Sequence, residues 1–161
     1  MRKLVPSLLS AVLLLAACSS IDCPLNNSVM AVYKFADGTL APSVQLTVSS
    51  PRADGVDTVL VNRIELVDSV SVPMSYAHAE DTLLFDFTVA ESEQSVVDTL
   101  YVGKTNQPHF ESVDCSPAMF HEILTVRHTT NVISSVEIKN KNVTYATNAA
   151  HVILHFKNSQ P

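Results

Sequence analysis

Apolar and polar residues alternate over short stretches along most of the chain, with the two-residue period of a β-strand. Leu83, Phe85, Phe87 and Val89 fall on one side of an extended segment, and Leu84, Asp86 and Thr88 on the other. Val44, Leu46 and Val48 repeat the pattern. So do Val96, Leu100 and Val102, although Asp98 interrupts their inner face with a charge. Val152, Leu154 and Phe156 form a final stripe facing away from His151, Ile153 and His155. Further strands are predicted at Val29–Phe35, Val56–Asn62, Ser69–Val72, Ile123–His128, Ser135–Ile138 and Val143–Tyr145. Turn chemistry separates several of them, notably Asp37-Gly38 and Asn140-Lys141-Asn142. Ser116-Pro117 could open one helical turn, but no stretch carries a convincing amphipathic helix.

About eight or more short strands without intervening helices predict an all-β fold. The expected architecture is an antiparallel β-sandwich of immunoglobulin-like type, with a closed barrel as the competing geometry. The segment 103–120 alternates weakly and contains Pro108 and Pro117, so it reads as a connection between sheets pinned by Cys115.

The first seventeen residues differ in kind. Arg2 and Lys3 precede an apolar run from Leu4 to Leu15 that ends in Ala16 and Ala17, the pattern of a secretory signal peptide. The run is too short to span a bilayer, which takes about 20 apolar residues. Leu15-Ala16-Ala17-Cys18 resembles the bacterial lipobox, in which the cysteine thiolate receives a diacylglyceryl group. On that reading Cys18 is the lipid attachment site and the mature N-terminus. The alternative is a plain signal peptide followed by an accidental cysteine. The expected organisation is a signal peptide at 1–17, a lipidated N-terminus and short tether at 18–26, and one β-sandwich domain at 27–161.

Loss of Arg2 and Lys3 shifts the formal net charge from −6 to −8. An acidic domain is a poor partner for nucleic acid and for anionic membrane surfaces, so membrane attachment would fall to the lipid. Cys23 and Cys115 remain as an even pair in an exported chain, for which a disulfide is the first expectation. Free thiols are the alternative, because sequence does not give the distance between the two residues.

No motif orders a catalytic centre. Six histidines are present, but His151 and His155 on one extended strand would stand roughly 13 Å apart, too far to share a zinc ion. His109, His121 and His128 could converge only through the fold. Asp54, Asp57 and Glu65 lack the spacing of a calcium loop. The expectation is therefore a non-enzymatic protein with no catalytic residues, no metal and no cofactor beyond lipid on Cys18. The first place to look for a binding patch is His109, Phe110 and Phe120, on a segment that rigid strands would hold.

CSSIDCPLNNSV, TNQPHFESVDCSPAMFH and NVTYATNAAHVILHFK together resemble a family of small envelope lipoproteins of Bacteroides-type bacteria, known only as a domain of unknown function. The resemblance implies lipidation at Cys18 and an envelope location. It supplies no activity. Only one acid follows Cys18 in Ser19-Ser20-Ile21-Asp22, which within that family favours the periplasmic face of the outer membrane over the cell surface. The same affiliation implies O-glycosylation at Asp followed by Thr or Ser and an apolar residue, a pattern met at Thr58, Ser69, Thr82 and Thr99; it is also how a polar turn commonly gives way to a strand. The expected role is binding or scaffolding of an envelope protein or glycan, in an unknown oligomeric state. A surface adhesin or pilus-related subunit is the alternative, and a metal-dependent enzyme stands behind both.

Overall fold

A computed structural model describes Cys23, residues 28–146 and residues 148–157. The predicted signal peptide at 1–17, the predicted lipid attachment site Cys18 and residues 19–22 with their single acid lie outside the described residues. Among the described residues ten strands follow in chain order: β1 (Met30–Phe35), β2 (Val44–Ser50), β3 (Thr58–Ile64), β4 (Ser69–Pro73), β5 (Glu80–Val89), β6 (Gln94–His109), β7 (Ala118–His128), β8 (Ile133–Ile138), β9 (Asn142–Val143) and β10 (Val152–Phe156). No helix occurs among the described residues.

The strands form two sheets, one ordered β4-β1-β10-β8 and the other β3-β2-β5-β6-β7-β9. Both sheets have free edges, so the fold is a β-sandwich and not a closed barrel. It is compatible with the immunoglobulin-like expectation without establishing it. Every pairing is antiparallel except that of β1 with β10, which run in parallel from Tyr33 opposite Val152 to Phe35 opposite Leu154.

The alternation along β5 alternates buried and half-buried positions, with Leu83, Phe85 and Phe87 inward as predicted. Between the sheets, Tyr33 meets Phe85 edge-on at 5.5 Å between ring centres, and Phe156 contacts both Phe35 (5.6 Å) and Phe87 (5.5 Å). Such offset and edge-to-face contacts add to the burial of area that drives the sheets together.

Three expectations need correction. Residues 103–120 do not cross between sheets: β6 runs on to His109 and β7 starts at Ala118, paired with it from Leu100 opposite His128 to His109 opposite Ala118. Pro108 and Pro117, which argued against a strand, sit at or beyond the far end of this hairpin, where fewer ladder bonds are lost. Asp98 does not spoil the inner face, because its carboxylate is buried and fully bonded. His151, placed by alternation on the outer side, is buried at the entrance to β10, where Nδ1 accepts a hydrogen bond from the Val32 N–H at 2.9 Å.

Candidate functional site

The ladder of β6 with β7 runs past the end of the neighbouring strand β5. β5 pairs with β6 only as far as Glu80 opposite Gly103, so the remainder of β6 extends past the end of β5. A register shift falls between Gly103 and Lys104 on β6. Gly103 is required there by space: a Cβ would lie 2.5 Å from Thr125 Oγ1 on β7.

Beyond the shift, a polar cluster fastens the hairpin to the segment between β4 and β5. The Lys104 ammonium is wholly buried; it donates to the carbonyls of Ser75 (2.6 Å) and His78 (2.5 Å) and lies 3.4 Å from Asp81 Oδ1. Asp81 Oδ2 in turn accepts from the Ser75 N–H at 3.2 Å. Asn106 donates to the carbonyls of Tyr76 (3.2 Å) and His78 (3.0 Å), and its Oδ1 accepts from Lys104 and from His121 Nδ1 at 2.8 Å. Burial, with the Lys104 charge adding to it, lowers the His121 pKa to about 4, so the ring is neutral at physiological pH. Burial raises the Asp81 carboxyl, although Lys104 and the Ser75 amide oppose the rise. A buried lysine and aspartate with these partners hold a loop in place, and their mutual attraction is offset by the cost of desolvating both.

Next to this cluster a cleft of about 520 Å³ is lined by Arg52, Leu60, Met74, His78, Glu80 and Asp81 among others. Arg52 is engaged by Asp54 at 3.0 Å. Among the described residues no three His, Cys, Asp or Glu side chains are grouped so as to hold a metal ion. Asp54, Asp57 and Glu65 do not form a ligand set: Asp54 also caps the Val56 amide, and Glu65 accepts from Gln45 Nε2.

Toward the tip, His109 on β6 stacks on Phe120 of β7 with ring centres 4.2 Å apart and planes 12° from parallel. Tyr145 closes the group edge-on, 5.1 Å from Phe120 and 6.3 Å from His109. Phe120 is half-buried and packs on the edge of the core, whereas Phe110 is 64% exposed and Val113 is 99% exposed. The predicted patch is thus divided: His109 and Phe120 form one rigid aromatic platform, and Phe110 stands apart on the tip. Tyr145 was missed because alternation assigned it to the strand that ends at Val143. Its meeting with β7 is set by the short β7–β9 pairing of His121 with Val143.

The tip is also where the two cysteines meet. Cys23 and Cys115 form a disulfide with Cα atoms 5.4 Å apart across 92 residues of sequence. The tip loop is further bonded by Cys115 N–H to the Ser112 carbonyl and Asp114 N–H to Ser112 Oγ, both at 3.3 Å. Of the four glycosylation candidates, Thr58 is exposed at the start of β3, while Ser69, Thr82 and Thr99 are half-buried within strands. The neighbouring Asp81 and Asp98 are buried.

A sequence profile matches residues 45–156; it represents a family of unknown function, DUF6452. No curated protein and no solved structure matches the chain. The matched region takes in the whole hairpin and the buried cluster at its base, and leaves Cys18 and Cys23 outside.

Proposed function

The chain belongs to the DUF6452 family of unknown function, and on that premise we propose that it is a lipid-anchored protein of the bacterial envelope that binds or scaffolds another envelope component without catalysing a reaction. The anchor is Cys18, acylated after removal of residues 1–17, and the favoured location is the periplasmic face of the outer membrane of a Bacteroides-type cell. The observation that carries the reading is the bond from Cys23, five residues after Cys18, to the tip of the β6–β7 hairpin. A disulfide fits an exported chain, and this one joins Cys23 to the end of the molecule that carries the exposed apolar tip and the aromatic platform. Tethering raises local concentration, so a modest contact surface can be occupied.

Intact-mass measurement of the native protein tests the anchor. A mature chain beginning at Cys18 and carrying acyl groups is expected; an unacylated chain beginning upstream overturns it. Crosslinking in intact cells from the aromatic platform is expected to capture an envelope protein or glycan, and Phe120→Ala lowers the yield. Unchanged capture would remove the platform from the binding role.

One feature favours a second reading, an adhesin or pilus-related subunit that assembles by strand exchange. The edge strand β3 is weakly held: its register against β2 shifts twice, and most of its side chains are exposed. A purified protein that stays monomeric, with β3 resistant to protease, would count against it.

A further inference from the structure

Resting on the anchor reading above, we propose that the tip of the β6–β7 hairpin is a membrane-contacting surface that places Phe110 and Val113 in the interface of the bilayer holding Cys18. Single exposed apolar residues are ordinary on protein surfaces. These two are set apart by what is bonded beside them. Five peptide units separate Cys18 from Cys23, a reach of roughly 17 Å at full extension, and Cys115 lies 5.4 Å beyond by Cα distance. Without the disulfide, the tether would run from Cys18 to β1 at Met30, twelve peptide units and roughly 40 Å. The disulfide therefore shortens the reach from roughly 40 Å to roughly 22 Å, and it fastens the tip to the bilayer rather than the body of the sandwich.

The tip is also held outward. Lys104, Asn106 and His121 lock the base of the hairpin to the segment 75–78, and the His109–Phe120 stack stiffens the stretch between. A loop so braced presents Phe110 and Val113 instead of folding them back. Glu111 and Asp114 lie on the same loop, so the surface it fits is a zwitterionic one; anionic headgroups would repel it. Two apolar side chains bind a bilayer weakly alone, and the acylated cysteine supplies the proximity that makes the contact persistent.

The chain contains no tryptophan, so Phe110→Trp introduces a single indole at an exposed position. The mature acylated protein carrying Phe110→Trp is reconstituted into vesicles of phosphatidylcholine and phosphatidylethanolamine, with and without brominated acyl chains. A blue shift and loss of emission to the brominated lipid are expected. Val96→Trp, at the opposite end of β6 and 45% exposed, should show neither. An indole of Phe110→Trp that stays water-like while the acylated protein floats with the vesicles overturns the membrane-facing tip and leaves the anchor standing. A blue shift without bromine quenching means that a second copy of the chain covers the tip, and also overturns it. Absence of acyl mass overturns the anchor reading, and this inference falls with it.

Discussion

Asp98 occupies an inward position on β6, between Val96 and Leu100 of one alternating stripe, where valine or leucine would be expected. It is wholly buried because its carboxylate receives the N–H groups of Asn131 (2.8 Å), Val132 (2.7 Å) and Ile133 (2.7 Å) and the Thr129 hydroxyl (2.7 Å). These groups belong to the crossing from β7 to β8, where the chain leaves one sheet for the other, so a single buried side chain satisfies the backbone of the turn. Burial pushes the Asp98 pKa up, and the four hydrogen bonds to the ionised form outweigh it and hold the carboxyl below its usual value. Asp98→Ala should cost about 3 to 5 kcal/mol in urea unfolding, since three amides lose their acceptor together; a loss below about 1 kcal/mol would mean that water replaces the carboxylate. The histidines add a second pH dependence. His121, lowered from 6.5 to about 4, and His151, lowered by burial, favour folding only while neutral. Their contribution is complete above about pH 6.5 and is lost as pH falls toward 4. Asp98, with its lowered pKa, contributes fully above about pH 4 and loses that contribution at lower pH. Asp81, raised by burial, works in the opposite sense and blunts the acid loss. Urea midpoints should therefore fall between pH 6.5 and 4, and His121→Gln should make that fall shallower. An unchanged slope would show that His121 does not carry it.

The β6–β7 hairpin is built from three devices that act at different points along its length. At the shift, Gly103→Ala forces Thr125 to move and should cost about 1 to 2 kcal/mol, the range for overpacking; adding Thr125→Ala should recover most of it. Full additivity of the two changes would deny the contact. At the base, Lys104→Ala leaves Asp81 buried without its counter-charge and should destabilise by about 3 to 5 kcal/mol, with Asp81→Asn restoring part of the loss in the double variant. At the tip, the disulfide closes a 92-residue separation, for which chain entropy gives about 4 to 5 kcal/mol. Reduction should lower the urea midpoint while the folded sandwich persists without denaturant, because the core between the sheets contains neither cysteine. Loss of near-ultraviolet dichroism on reduction alone would contradict this.

At the scale of the whole molecule, the proposed anchor at Cys18 would make the disulfide a device of orientation as well as of stability. β1 lies at the centre of its sheet between β4 and β10, and a chain tethered through β1 alone could turn freely about that tether. With Cys18 acylated as proposed, the bond from Cys23 to the hairpin tip would direct one end of the sandwich to the membrane. The outer faces of the sheets, including Arg127 Nη2 donating to both Glu80 carboxylate oxygens at 2.9 and 3.0 Å and the Tyr101 ring beneath Arg127, would then remain open to the surrounding solvent. Site-specific crosslinkers at Val96 and Phe110 should accordingly differ, with lipid recovered from Phe110 and none from Val96.

Alternation by itself determined the all-β class and the approximate position of each strand, because burial on one face of a sheet forces a two-residue period that needs no partner to be recognised. The even number of cysteines left after Cys18, together with the predicted signal peptide, likewise pointed to Cys23 and Cys115 as a pair. The tertiary structure alone decided which strands are neighbours, that 103–120 is a hairpin tip and no crossing, and that Asp98 and His151 are buried. Each of those outcomes depends on groups distant in sequence: three amides more than thirty residues from Asp98, the Val32 N–H 119 residues from His151, and a cysteine 92 residues from its partner. A local pattern carries no information about which distant group will arrive to satisfy a buried polar atom, and that choice is made only when the sheets close.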